Sequence, residues 1–181
     1  RYYLAGGTDV HDVWNHESGR LRTFGHVEGP LTPVSYAAAV KNGHAYVSYG
    51  PLIEPDVMFG SELKVKPGAP FPLAFGLRSA TGLKQVTLIG AGTVAFTRVF
   101  SDAPREARVE FKPTATGHTW YSLEVEDVAG LKAYSNPIWV DVDGNGRFDP
   151  PVPPEAEPGE PPPPRRPPTP SRLPRVNPAD R

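Results

Sequence analysis

Tyr121-Ser122-Leu123-Glu124-Val125 puts an apolar side chain at every second position and a polar one between. A period of two belongs to a β-strand with one face in a core and the other in water. The same alternation runs through Leu73, Phe75 and Leu77, then Val86 and Leu88, Val94 and Phe96, and Val109 and Phe111. It closes with Ile138, Val140 and Val142, and Ala45–Tyr49 is the first candidate strand. Turn signals separate the runs: Gly68, Ala80-Thr81-Gly82, Gly90-Ala91-Gly92, Asp102-Ala103-Pro104, Thr116-Gly117 and Asp127-Val128-Ala129-Gly130. Short strands at intervals of roughly 8–12 residues predict a two-layer, immunoglobulin-like β-sandwich. Gly90-Ala91-Gly92 lies between strands and reads as a hairpin turn, not a phosphate-binding loop.

Upstream, the period changes. Thr32 is a good N-cap, Pro33 suits the first helical position, and Tyr36–Lys41 favours helix. Asn42-Gly43 supplies the stop, so residues 32–43 are expected as one short helix. Arg1–Ala5, ended by Gly6-Gly7, reads as a buried strand, and the rest of residues 1–31 as irregular structure. Downstream, 14 of the 24 prolines fall between Pro150 and Pro178. Such a segment cannot bury enough apolar surface to offset chain entropy, and a disordered proline-rich tail is expected over 150–181.

The net charge of −1 gives no basic excess for nucleic acid. No apolar run approaches the ~18 residues of a membrane helix, so no membrane span is expected. The absence of cysteine excludes disulfides, cysteine zinc sites and thiol nucleophiles. Arg1 opens the chain and Met58 is its only methionine, so a start upstream of Arg1 is expected. The sandwich, the missing cysteines and the tail together suggest an extracytoplasmic location.

In Gly6-Gly7-Thr8-Asp9-Val10-His11-Asp12-Val13-Trp14, Asp9 and His11 stand two apart after the expected strand. Residues at i and i+2 of an extended chain point the same way, so a carboxylate and an imidazole can meet one cation. Asp12 and His16 are weaker candidates. A catalytic metal needs at least three ligands and an open position, and an Asp-x-His pair is also common as plain structure. Both readings are open on the residues alone.

Three segments carry a resemblance: Gly7-Thr8-Asp9-Val10-His11, Gly19-Arg20-Leu21-Arg22-Thr23-Phe24, and Asn42–Pro51 following the helix. In order and spacing they resemble the end of a PHP domain, the polymerase and histidinol phosphatase metallohydrolase fold, in its CehA/McbA-like branch. Ser135-Asn136-Pro137-Ile138 is similar to a motif closing the β-sandwich that follows in that branch. The resemblance covers about residues 2–142, with Leu21 where proline is usual and no His-x-His anywhere in the chain. It implies that Asp9 and His11 are metal ligands for Zn or Mn. It further implies that Arg22 contacts a small-molecule substrate in the intact protein. The implied chemistry is hydrolysis of phosphoester, ester or carbamate by metal-activated water. The missing His-x-His implies that the present residues form no complete site. Arg22 also has a plain alternative, a surface salt bridge.

Asp141-Val142-Asp143-Gly144-Asn145-Gly146-Arg147-Phe148-Asp149 fits the start of a calcium loop. Oxygen ligands stand at positions 1, 3, 5 and 9 (Asp141, Asp143, Asn145 and Asp149), with glycine at 6. Position 12 is Val152 rather than Glu, and Asp/Asn/Gly loops also make tight turns without metal. Pro161–Pro164 and its neighbours suit a spacer, or a ligand for grooves that read polyproline. His26, His44 and His118 receive no role.

The expected architecture is therefore mainly β. Residues 1–52 are a remnant of an α/β metallohydrolase domain and 53–142 the sandwich. Residues 143–149 end the calcium loop and 150–181 form the tail. Two functions compete: the C-terminal part of a metal-dependent hydrolase, inactive as this fragment, or a non-catalytic binding or structural domain with a calcium loop.

Overall fold

A computed structural model describes residues 1–12, 14 and 18–146. The strands are β1 (Arg22–Gly25), β2 (Ala45–Ser48), β3 (Leu52–Pro55), β4 (Glu62–Lys64), β5 (Leu73–Arg78) and β6 (Leu83–Gly90). They continue as β7 (Thr93–Val99), β8 (Glu106–Phe111), β9 (Thr119–Asp127), β10 (Lys132–Ser135) and β11 (Ile138–Asp141), and helix α1 spans Pro33–Lys41.

The helix forms where its caps are. Thr32 Oγ1 accepts from Ser35 N–H at 3.1 Å and Ser35 Oγ accepts from Thr32 N–H at 2.9 Å, a reciprocal capping box. Asn42 N–H donates to Ala38 O at the other end.

Strand β9 organises the larger sheet. Along one edge it pairs with β6, from Leu83↔Asp127 to Gly90↔Tyr121. Along the other, its C-terminal half meets β10 and its N-terminal half meets β11. Asn136-Pro137 separates β10 from β11, since proline brings no N–H to a ladder. Past that break the sheet divides: β10 leads to β2 and β1, while β11 leads to β4 in parallel. The smaller sheet is β3–β5–β8, antiparallel throughout.

One core joins the layers. Ile53, Leu73, Phe75, Leu77, Val109 and Phe111 come from the small sheet. Val86, Leu88, Leu123, Val125, Ile138 and Val140 come from the large one. Each such side chain contributes roughly 1.5–3 kcal/mol relative to exposure. The molecule is thus mainly β with sandwich-like sheets, as the period of two requires.

Four details differ from the sequence reading. No strand forms over Arg1–Ala5: Tyr2 is 96% and Leu4 42% exposed, and the backbone of Leu4 is bound by the Asn136 side chain instead of a neighbouring strand. Arg22–Gly25 is a strand rather than irregular chain, because β2 offers it an edge from Arg22↔Ser48 to Gly25↔Ala45. Strands β3, β4 and β10 have only three or four residues each, too few to show a period. All seven residues of β7 are exposed, so Val94 and Phe96 do not enter the core. That strand pairs with β6 alone, and Phe96, opposite the buried Leu88, meets the edge of the core against Phe111, with ring centres 5.8 Å apart.

The hairpin at Gly90–Thr93 is as expected, with positive φ at both Ala91 (48°) and Gly92 (85°). Strand β2, upstream of the boundary expected after Leu52, is hydrogen-bonded into the same sheet as β10. The described residues belong to one compact unit. The expectations for His16, Asp149, Val152 and the tail lie outside the described residues.

Candidate metal centre

The β9–β11 ladder runs Ile138↔Tyr121, Trp139↔Trp120 and Val140↔Thr119. One further step in that register sets Asp141 opposite His118. On the other side of β11, Asp141 pairs with Lys64 of β4. A lysine of β4, an aspartate of β11 and the histidine just before β9 thus stand in a row, at the end where β11 leaves the sheet.

Asp141 is fully buried. Its Oδ1 accepts from the N–H groups of Asp143 (3.1 Å) and Gly144 (2.8 Å), and its Oδ2 from Gly146 N–H (2.8 Å). Burial pushes its carboxyl up. The donors of Gly146, Gly144 and Asp143 outweigh that and hold it below the ordinary 3.8. The positive φ of Gly144 (73°) and Gly146 (80°) turns these N–H groups inward. Asp143 caps the next turn, its Oδ1 accepting from Asn145 N–H at 3.0 Å and its Oδ2 from Asn145 Nδ2 at 3.0 Å. Lys64 Nζ donates to Gly144 O at 3.1 Å.

His118 completes the group, with Nε2 at 3.4 Å from Asp143 Oδ2. One ligand atom each from His118, Asp141 and Asp143 lie within 4.8 Å of one another. Among the described residues this is the only set of three or more histidine or carboxylate side chains so gathered. The donor set fits a divalent cation: two carboxylates supply charge and the imidazole a nitrogen ligand.

The structure therefore brings together Asp141 and Asp143 of the expected calcium loop, with Asn145 beside them. His118 has no role on sequence grounds, because its place follows from a ladder register that spacing along the chain does not reveal. Asp9 and His11 are both exposed, and neither belongs to a cluster of three ligating groups among the described residues. Asp9 takes positive φ (51°), a conformation aspartate tolerates better than most residues. The exposed Arg22 donates Nε–H to Gly19 O at 2.7 Å, which folds its side chain back on the preceding turn.

A second feature escaped the sequence reading. Trp120 and Trp139 are directly paired across β9 and β11. With Tyr2, Leu4, Ser122 and Pro137 they line a groove of about 570 Å³. Trp139 is mostly covered, with the Arg1 guanidinium 5.2 Å from its ring centre and Tyr3 edge-on.

No family model matches the chain, and no curated protein matches it. Two solved structures are similar to part of it. Fibronectin(III)-like modules of Clostridium thermocellum CbhA share 12% identity, at a TM-score of 0.36, over 50% of this chain and 95% of theirs. An engineered protein shares 18% identity, at a TM-score of 0.35, over 51% of this chain and 20% of its own. Neither likeness bears on function.

Proposed function

We propose that the chain is a non-catalytic, immunoglobulin-like β-sandwich module of structural or binding type, whose Asp141–Gly146 end holds a divalent cation. The observation that carries this reading is the convergence of His118, Asp141 and Asp143 at the mouth of the β9–β11 ladder. These groups come from the loop before β9, the last residue of β11 and the turn after it. A cation there ties the start of one strand to the end of its neighbour. That role is structural: the cation holds the turn after β11 against the segment entering β9.

The test is a pair of measurements on the full chain. Unfolding is followed with and without divalent cation, and turnover is sought on phosphoester, ester and carbamate substrates with Zn²⁺ or Mn²⁺ added. A cation at about 100 times its dissociation constant stabilises the folded state by about 2.7 kcal/mol. A rise in midpoint without turnover is expected. Metal-dependent turnover abolished by Asp9→Ala/His11→Ala would establish the hydrolase reading instead and overturn this one.

A further inference from the structure

We infer that the cation held at this end is a borderline transition metal of the zinc class, with His118 as a ligand beside Asp141 and Asp143. The inference rests on the cation-holding reading above and specifies its metal. The loop after Asp141 looks like a calcium loop when only its own residues are considered. Calcium takes six to eight oxygen ligands and has little use for an imidazole. The third member of this cluster is a histidine, delivered by the loop that enters β9 and placed one ladder step beyond Thr119↔Val140.

The dimensions admit the smaller ion, and the imidazole is what selects it. Zinc binds imidazole nitrogen and carboxylate oxygen at about 2.0–2.2 Å, so two ligands on a tetrahedron stand about 3.3–3.5 Å apart. His118 Nε2 and Asp143 Oδ2 are 3.4 Å apart. Asp141 adds a buried carboxylate whose orientation is fixed by the N–H groups of Gly144 and Gly146. Groups that orient a ligand in this way strengthen metal binding. The Lys64 ammonium is directed to the Gly144 carbonyl, which leaves the carboxylates as the anionic side of the cluster.

The full chain, stripped with chelator, is titrated calorimetrically with ZnCl₂ and separately with CaCl₂. Wild type is compared with His118→Ala, His118→Gln, Asp143→Asn and Asp9→Ala/His11→Ala. His118→Gln keeps the side chain's bulk and polarity in case the alanine variant folds poorly. Zinc is expected to bind at least tenfold tighter than calcium. Its affinity is expected to fall at least tenfold in the His118 and Asp143 variants and to hold in the double variant. Zinc should also shift the His118 ring nitrogen signals in NMR. Unmoved His118 signals, or equal zinc affinity in wild type and His118→Gln, would overturn the inference. Calcium binding tighter than zinc and indifferent to His118 would overturn the zinc inference while leaving the cation site. Binding of neither ion would overturn both.

Discussion

The side-chain amide of Asn136 grips Leu4 by both of its backbone groups. Leu4 N–H donates to Asn136 Oδ1 at 2.5 Å, and Asn136 Nδ2 donates to Leu4 O at 3.2 Å. The same Nδ2 also donates to Ala45 O at 2.9 Å, and Asn136 is only 1% exposed. The amide thus does for Leu4 what a neighbouring strand would do. Asn136→Ala removes these three hydrogen bonds, each contributing about 0.5–1.5 kcal/mol net, and a loss of about 1–3 kcal/mol follows. Chemical denaturation should show a loss of that size. Amide exchange at Leu4 should rise by a larger factor than at Val125 in the core of β9.

Asp127 plays the corresponding part at the far end of β9. Its Oδ2 accepts from Ser79 Oγ (3.1 Å) and Thr81 Oγ1 (2.8 Å), and its Oδ1 from the N–H groups of Ala129 (3.0 Å) and Leu131 (2.9 Å). It is 1% exposed. Asp127→Ala orphans four donors at once, and a loss of about 2–4 kcal/mol follows, since hydrogen bonds to charged groups are the stronger kind. Asp127→Asn keeps one oxygen acceptor and should lose less. Equal midpoints for the two variants in urea would contradict this assignment.

The sequence made the sandwich legible where a strand was long enough to show its period. Tyr121, Leu123 and Val125 are buried as expected, and so are Leu73, Phe75 and Leu77. It misled at Val94, because an irregularity opposite Leu88 and Ile89 breaks the alternation of β7: Phe96 pairs with the buried Leu88, but Val94 with the half-buried Ile89. It was silent on Glu62–Lys64, which becomes a strand only through parallel pairing with β11. The metal centre was half legible for the same reason. Asp141 and Asp143 are close in sequence and advertise a turn. His118 joins them through a ladder whose register is set by packing between segments distant along the chain.

Acid and alkali should act on one charged face. Glu126 receives Lys84 Nζ at 2.6 Å, and Lys132 Nζ donates to Glu124 at 2.6 Å and stands 3.8 Å from Glu126. The hydrogen bond from Lys84, with the charges of Lys84 and Lys132, holds the Glu126 carboxyl below its ordinary 4.5 against the upward push of burial. The hydrogen bond to Glu124 raises Lys132 above its ordinary 10.5. A depressed carboxyl stabilises the fold above its unfolded-state value, and the gain fades as pH falls through its lower folded value. A raised lysine stabilises below 10.5, and its gain fades as pH rises through its higher folded value. These two groups therefore contribute fully between about pH 4.5 and 10.5 and less outside those limits. Comparing Glu126→Gln with wild type across pH should show a difference that shrinks below pH 4.5. A constant difference down to pH 2 would refute the pairing.

Gly60 is where the turn before β4 meets the end of the helix. Its φ is +81°, its N–H donates to Pro137 O at 2.7 Å, and a Cβ built there would overlap Asn42 O and the backbone of Gly43. Gly130 has a similar φ of +78°, but a Cβ there meets nothing within 4 Å. Left-handed backbone costs an ordinary L-residue roughly 1–2 kcal/mol, and both alanine variants incur that. Only Gly60→Ala must also push apart backbone that cannot swing aside as a side chain does. Gly130→Ala should therefore lose about 1 kcal/mol, and Gly60→Ala more than about 3 kcal/mol, in line with overpacking costs. Denaturant midpoints of the two variants measure the difference. Equal losses would mean that the Asn42-Gly43 turn does not rest on Gly60 in solution.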